Sequence, residues 1–363
     1  MSFVIQGWCP GALRPMMSGD GLVLRLKPRM AHLTAAQAQG IAQAALTHGN
    51  GLIDLTARAN VQLRGIRPEA HLALLDDLAA LDLIDPSEAV ERHRNLTVAP
   101  FWHGDHWQAL ARAVTTLLTA PDNAALPGKF GLSLDLGSEL VLQDSAADIR
   151  IEGQPDGWLI RPDGFDHGAL VHDLAQAMTA LQRLIDWFLA GKAGRMAALV
   201  GQNLPQGFDH PMTRSSFRPA PGRHDLGHLV GLEFGQLRAE TLAKLAGNDI
   251  RITPWRMILI QGPVPDLPDL IRDPADPRLN VVACTGAPAC PQALQPTRDL
   301  ARSLAPKVPQ GQVLHVSGCA KGCAHPGPAA IALCATATGF NLIRHGRASD
   351  IPAGAFNLLA KAL

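Results

Sequence analysis

The residues in this sequence with the most chemistry to offer are its six cysteines, four of which fall in two pairs: Cys284-Thr-Gly-Ala-Pro-Ala-Cys290 and Cys319-Ala-Lys-Gly-Cys323. A C-x5-C and a C-x3-C loop, separated by enough chain for a helix and a strand, present four thiolates. Structural zinc generally uses tighter knuckles in both pairs, whereas a cuboidal iron–sulfur core needs four soft thiolates on a wider base. Gly286, Ala287, Ala289, Gly318, Ala320, Gly322 and Ala324 surround the cysteines with small side chains. They leave room for an inorganic core and let backbone N–H groups approach its sulfides. The spacing predicts Cys284, Cys290, Cys319 and Cys323 as ligands of one 4Fe-4S cluster, with zinc or free thiols as alternatives. Cys334, in the apolar run Ile331-Ala-Leu-Cys334-Ala, reads as a core residue. Cys9, in Trp8-Cys9-Pro10-Gly11, is left as a candidate for a redox or metal role.

These loops must be carried by a framework. A chain of 363 residues suggests two or three domains. Lys+Arg and Asp+Glu both number 32, so no overall field draws nucleic acid or an anionic membrane, and an anionic partner must be met locally. The stretch Met1 to Pro10 lacks the basic start and apolar core of a signal peptide, and no run approaches the roughly 18 apolar residues of a membrane span. A cytoplasmic protein, in a compartment that favours metal binding over disulfides, is expected.

The framework is duplicated. Gly21-Leu-Val-Leu-Arg-Leu, an Ala/Gln-rich helical stretch over Thr34 to Thr47, and Gly51-Leu-Ile-Asp-Leu-Thr56-Ala-Arg58-Ala-Asn60-Val-Gln62-Leu-Arg64-Gly65 read as strand, helix, strand. His228-Leu-Val-Gly-Leu, a helix over Arg238 to Leu245, and Ile250-Arg-Ile-Thr253-Pro-Trp255-Arg256-Met-Ile-Leu-Ile-Gln261-Gly262 repeat that order, with Thr56 and Gly65 meeting Thr253 and Gly262 at one offset. A second echo pairs Leu132-Ser-Leu-Asp135, Asp148-Ile-Arg-Ile151 and Gly157-Trp-Leu-Ile-Arg161 with Val313-Leu-His-Val316, Ala330-Ile-Ala-Leu333 and Gly339-Phe-Asn-Leu-Ile-Arg344.

Each copy is expected to hold a small α+β half-domain followed by a three-layer α/β domain. The boundaries fall at 1–80, 81–206, a Pro/Gly-rich linker at 207–227, 228–266, and 267–363 with the cysteines. Further helices are expected at Pro68–Leu81, Trp107–Leu118, Gly168–Leu189 and Pro291–Leu304. Two facing copies leave a crevice for a large ligand.

These motifs resemble the sulfite and nitrite reductase superfamily over nearly the whole chain. The resemblance implies a pseudo-two-fold architecture of two ferredoxin-like half-domains and two α/β domains, with the cluster in the second copy. Its signatures are Thr56-x-Arg58-x-Asn60-x-Gln62-Leu63-Arg64-Gly65, Arg94-Asn95 and Leu126-Pro127-x-Lys129-Phe130. In siroheme reductases the positions resembling Arg58, Arg94 and Lys129 hold an anionic substrate and the carboxylates of the macrocycle, a task suited to guanidinium forks and ammonium charges. Arg58, Asn60, Gln62 and Arg64 alternate along one strand and should point the same way.

The departures are informative. Gly131 stands where siroheme sulfite reductases carry a further lysine, and the second cysteine loop, Cys319-Ala320-Lys321-Gly322-Cys323-Ala-His325-Pro326, lacks their Pro-Asn. With Trp8-Cys9-Pro10-Gly11-Ala12-Leu13-Arg14-Pro15-Met16, Ser18-Gly19-Asp20-Gly21-Leu22 and Thr253-Pro-Trp255-Arg256, the chain resembles the precorrin-3B synthase subfamily of aerobic cobalamin biosynthesis. That resemblance implies an O2-dependent monooxygenase which hydroxylates the metal-free tetrapyrrole precorrin-3A at C20 and closes a γ-lactone.

It further implies a 4Fe-4S cluster, a mononuclear non-haem iron, and NADH as an indirect electron source acting through a separate reductase. Substrate binding is assigned to Arg14, Arg58, Asn60, Gln62, Arg64, Arg94, Lys129 and Lys321, with the carboxylates falling to the cationic ones among them. His103-Gly-Asp105-His106 has the residue types of an iron triad but reads as a solvated loop. His325 and His315 flank the cysteine loops as donors or packed imidazoles. The catalytic groups are not assigned. A siroheme-dependent sulfite or nitrite reductase is the alternative, and a non-catalytic 4Fe-4S electron carrier or sensor is the second.

Overall fold

The computed structural model describes residues 8–213, 215–351 and 357–358. The part of the N-terminal stretch at 1–7 and most of the end of the last expected segment lie outside those residues.

Four sheets account for the strands. The first is antiparallel in the order Met16–Ser18, Gly21–Leu26, Val61–Ile66, Leu52–Leu55, Gln236–Arg238. The second runs Gly222–His224, Gly227–Leu232, Met257–Ile260, Ile250–Ile252, His32–Leu33. In each, the fifth strand belongs to the other copy, so the two half-domains exchange a strand reciprocally. Helices Ala35–His48 and Ala239–Leu245 pack against each other beneath the two sheets. Leu24, Ile41, Leu63, Leu242, Ile250 and Ile258 then form one buried core shared by both copies. Strand alternation supplies it: Leu24, Leu26, Val61 and Leu63 point inward, and Arg25, Gln62 and Arg64 lie on the opposite face.

The duplication extends to turns. Thr56 Oγ1 accepts from the amides of Arg58 (3.2 Å) and Asn60 (3.1 Å). Thr253 Oγ1 accepts from Trp255 (3.3 Å) and Met257 (3.2 Å) and donates to the Met257 carbonyl (2.9 Å). Both turns close on a left-handed residue, Ala59 at φ 54° and Arg256 at φ 62°.

The two larger sheets share an order of three parallel strands followed by antiparallel ones, with six strands in the first and five in the second. Leu96–Val98, Leu132–Asp135 and Ile149–Gln154 are parallel, followed by antiparallel Gly157–Pro162, His167–Val171 and His210–Pro211. Val281–Ala283, Leu314–Ser317 and Ala329–Ala335 are parallel, followed by antiparallel Phe340–Gly346 and Asn357–Leu358. In the first α/β unit, helices Asp105–Thr119 and Leu174–Ala190 bury Trp107, Leu110, Leu181 and Leu184 against the sheet. The other face is covered by the crossover 136–148, whose Leu142 and Ser145 carbonyls each accept from Arg150 at 2.8 Å. Residues 207–227 contribute one edge strand to each neighbouring sheet. Among the described residues no helix is long and apolar enough to cross a membrane.

Three helices expected from the sequence differ. Pro68–Leu81 begins as a 3-10 turn, Pro68–Ala70, before helix His71–Ala79. Gly168–Leu189 is split: Gly168 to Val171 belongs to a strand paired with Gly157–Pro162, and the helix starts at Leu174 behind Asp173, whose carboxylate accepts from the Gln176 amide (2.8 Å). Pro291–Leu304 is helical only over Arg298–Leu304. The preceding residues bond elsewhere, Leu294 N to the Gly318 carbonyl (2.8 Å) and Gln295 Nε2 to the carbonyls of Thr336 and Ala337 (3.1 Å each), which ties the two cysteine loops together.

Thr253 is fully buried and makes three hydrogen bonds. Thr253→Val keeps the shape and removes all three, so chemical denaturation should show a loss of about 1–3 kcal/mol, the cost of leaving buried backbone groups without a partner.

Candidate functional site

The outer face of the first small sheet is polar and docks on the opposite copy's cysteine loop. Arg64, 5% exposed, grips Asp20 through Nε (3.0 Å) and Nη2 (2.8 Å) and reaches Asp54 through Nη1 (3.2 Å). Its Nη2 also donates to the Ala289 carbonyl at 3.4 Å, beside Cys290. The same carbonyl accepts from Ser18 Oγ (2.7 Å) and the Gly19 amide (3.0 Å), and Arg298 pairs with Asp54 (3.3 Å). Arg64, assigned to the substrate from the sequence, here faces two carboxylates and links the sheet to the loop.

The second sheet makes the reciprocal contact. Arg251, 5% exposed, donates to the carbonyls of Pro100 (2.7 Å) and Trp102 (2.6 Å) and stacks on the Trp102 ring at 3.9 Å. The repeat offset carries Arg58, Asn60 and Gln62 onto Trp255, Met257 and Leu259. There Met257 and Leu259 pack with Leu229, Phe101, Trp255 and Leu279 in an apolar cluster. One copy's outer face is filled with hydrocarbon; the other carries charge.

That charge lines a cavity of about 550 Å³ between residues 27–32, the turn at Arg58 to Asn60, residues 94–97 and helix Asp105–Thr119. Lys27, Arg29, Arg58, Arg94 and Arg112 face it with His32 and Trp102, and none of the described lining residues is acidic. Arg58 donates from Nη2 to the Lys129 carbonyl (2.8 Å). Burial chiefly, and Arg195 next, lower its pKa. A Cβ at Gly131 would meet the Asn95 carbonyl at 2.8 Å, so glycine at the position that lacks a lysine lets the chain lie against Asn95, with Arg58 Nη1 at ordinary contact distance, 3.5 Å.

Lys27 Nζ donates to Asn95 Oδ1 (2.7 Å) and to the Glu91 carbonyl. Burial first, then the charges of Arg94 and Arg25, push its pKa from an ordinary 10.5 down to about 7. Sequence reading missed Lys27 and Arg25, although the alternation Arg25-Leu26-Lys27 beside an inward Leu26 was the signal.

The other expected substrate residues divide. Arg94 lines the cavity, but a bidentate pair with Asp85 (2.7 and 2.9 Å) and a bond to the Lys27 carbonyl (2.7 Å) occupy its guanidinium. Asn60 lines the cavity, while Gln62 accepts from Arg25 (3.0 and 2.7 Å). Lys129 is exposed and meets the site through its carbonyl. Arg14 is exposed over the Trp8 ring (4.5 Å). Lys321 is exposed, and its backbone N–H donates to Cys319. Cys9 is exposed beside the Arg25 guanidinium, and Cys334 is buried.

The four paired cysteines share one space. Burial raises the Cys319 thiol, with Cys284 and Cys290 adding to it; burial and then Cys284 push Cys323 up to about 11. Thr297 Oγ1 holds the Cys284 carbonyl (2.7 Å), and Ser317 Oγ lies 3.4 Å from Cys284 Sγ. A Cβ at Gly318 would strike Ala293 at 2.7 Å, and one at Gly286 would strike Thr297 at 2.6 Å, so glycine is what lets these loops approach. His315 stands 3.9 Å from Cys284 Sγ and is kept neutral near pH 7, because burial, His325 and Arg256 push its pKa down to about 4.

Among the described residues no three His, Cys, Asp or Glu side chains converge on a single metal ion. A set of four soft thiolates spread over two glycine-lined loops fits a larger, cuboidal group. His103 and His106 are exposed with rings 6.5 Å apart, and no triad forms there.

Residues 14–81 match the nitrite/sulfite reductase ferredoxin-like half domain. A curated relative named precorrin-3B synthase, from Sinorhizobium sp, is 29% identical over an alignment covering 96% of this chain and 84% of its own. Among solved structures, the NirA protein of Mycobacterium tuberculosis superposes with a TM-score of 0.62 at 20% identity, covering 88% of this chain and 74% of that one. The chain thus has the sulfite/nitrite reductase-like fold with its ferredoxin-like half domain, and it resembles precorrin-3B synthase along nearly its whole length.

Proposed function

We propose that this protein is an oxidoreductase of the precorrin-3B synthase type, acting on the polycarboxylate tetrapyrrole precorrin-3A with O2. The observation that carries the reading is the cavity lined by five cations and no acid, on the half-domain whose outer face docks against the cysteine loops. A neutral chain concentrates its positive charge there, as recognition of several carboxylates requires. Arg58, Lys27 and Arg112, which have no carboxylate partner among the described residues, would meet those carboxylates, while Arg29 already pairs with Asp82 (3.4 Å). Arg94 and Asp85 fix the backbone that carries Lys27, and Trp102 offers an apolar face to the macrocycle.

Cys284, Cys290, Cys319 and Cys323 would hold a 4Fe-4S cluster, which when bound supplies one-electron transfer. In this reading NADH feeds electrons through a separate reductase, and O2 adds one oxygen at C20 with γ-lactone closure. The described residues contain no set that fits the mononuclear iron implied by the resemblance, so the chain's own part lies in substrate binding and proton placement.

Proton placement centres on Lys27. A substrate carboxylate beside its ammonium opposes the effects of burial and of the charges of Arg94 and Arg25, raises its affinity for a proton, and makes binding above about pH 7 proceed with proton uptake.

Five measurements test this reading. Anaerobically reconstituted protein given precorrin-3A, O2 and a reductant should yield a product heavier by one oxygen, and Arg58→Ala should weaken tetrapyrrole binding by about 10- to 100-fold, the weight of a charged hydrogen bond. A purified chain that retains siroheme with its visible absorption band would instead favour a siroheme reductase. Cys319→Ser should abolish the brown absorption and bound sulfide; retention of both would remove the cluster assignment. Without ligand, Lys27 binds its proton less tightly folded than unfolded, so its destabilising effect is full below about pH 7 and fades toward 10.5. Lys27→Met should therefore melt above the wild type at pH 6, with the difference shrinking as pH rises to 10.

A further inference from the structure

We infer that Arg256 is the buried counter-charge of the group bound by the four cysteines and raises its reduction potential. The inference rests on the proposed cluster and adds a role for a residue of the second half-domain, in the same copy as the cysteines.

Arg256 occupies the left-handed turn position, φ 62°, that Ala59 fills in the first copy at φ 54°. The fold therefore dictates the backbone conformation there, uncommon for a residue with a side chain, while the guanidinium is peculiar to the second copy. Its stem crosses Gly235. A Cβ at that position would come within 2.7 Å of Arg256 Cδ, 2.8 Å of Cγ and 2.9 Å of Cβ, so the glycine opens the path along which the side chain reaches the cysteine loops.

At the end of that path Nη2 donates to the carbonyl of Ala324, the residue after Cys323. Burial is the largest influence on the guanidinium and disfavours its charge; Cys284 is the largest influence that favours it. Asp54, the carboxylate that also acts on it, is committed to Arg64 (3.2 Å), Arg298 (3.3 Å) and Gln236 (2.9 Å). Among the described residues Arg256 forms no salt bridge, and one carbonyl is weak compensation for a charge withdrawn from water. An anionic assembly of four thiolates and an inorganic core, placed beside Cys284, supplies the missing partner.

The neighbouring lysine does not take this role. Lys321 is exposed and bonds Cys319 through its amide, so its ammonium is not held against the cysteines. Reduction adds an electron to an already negative group, so a buried cation at its edge stabilises the reduced form more than the oxidised one and lifts the potential.

The test uses the full chain reconstituted anaerobically as wild type, Arg256→Met, Arg256→Gln and Arg256→Lys. Iron and acid-labile sulfide are counted first, and the midpoint potential is then read by electron paramagnetic resonance titration. The expected result is full iron and sulfide in the wild type, a more negative midpoint in R256M and R256Q, and a midpoint in R256K close to wild type. Loss of the cluster from R256M and R256Q with retention in R256K also supports the counter-charge. An unchanged midpoint in a fully loaded R256M or R256Q overturns the inference and leaves the cluster standing. Loss of the cluster from all three variants, lysine included, overturns it as well, since shape and not charge is then what the loop requires. A wild type that binds neither iron nor sulfide removes the cluster reading itself.

Discussion

The reciprocal strand exchange is the constraint on which the remaining geometry depends. His32–Leu33 completes the second small sheet and Gln236–Arg238 completes the first, so neither half-domain closes its sheet alone. A single apolar core through helices Ala35–His48 and Ala239–Leu245 locks the arrangement. With their inner faces joined, the two sheets turn their outer faces apart, each toward the α/β domain of the opposite copy. The contacts are crossed accordingly: Arg64 meets Ala289 beside the cysteines, and Arg251 meets Pro100 and Trp102.

From that symmetric frame the two copies have diverged by a polarity switch along the threonine turn and the start of the strand that follows it. Arg58, Asn60 and Gln62 become Trp255, Met257 and Leu259 at matching positions. The apolar version fills its crevice with Phe101 and Leu279, gaining the favourable transfer of hydrocarbon from water. The charged version leaves a cavity open, because clustered cations repel one another and lose hydration when crowded together without anions. The lowered pKa of Lys27 expresses that tension, and so does the network that ties down its neighbours, Arg94 to Asp85 and Arg64 to Asp20 and Asp54. Arg94 and Arg64 thus have carboxylate partners inside the frame, whereas Arg58 and Lys27 face the cavity without one.

Much of this was legible in the residues. The offset linking Thr56 to Thr253 returns as two turns with the same hydrogen bonds, because a threonine hydroxyl reaches only its own neighbouring amides. Helix Asp105–Thr119 followed from its periodicity. The exchanged strands were not legible: pieces of two and three residues carry no period, and their partners lie some two hundred positions away. Helix was expected over Pro291 to Thr297, where Leu294 and Gln295 instead bond to distant loops that no local pattern names.

The sequence by itself determined the duplication, the four thiols in two glycine-rich loops, and the cationic strand, since each depends on spacing within a few residues of chain. Only the tertiary structure decided which cations stay open. Arg58 and Arg64 look alike six residues apart, yet one faces a cavity and the other is held by carboxylates at positions 20 and 54. Charge compensation in a folded chain is set by distance through space, and the same rule places Arg256 beside cysteines far from it in sequence.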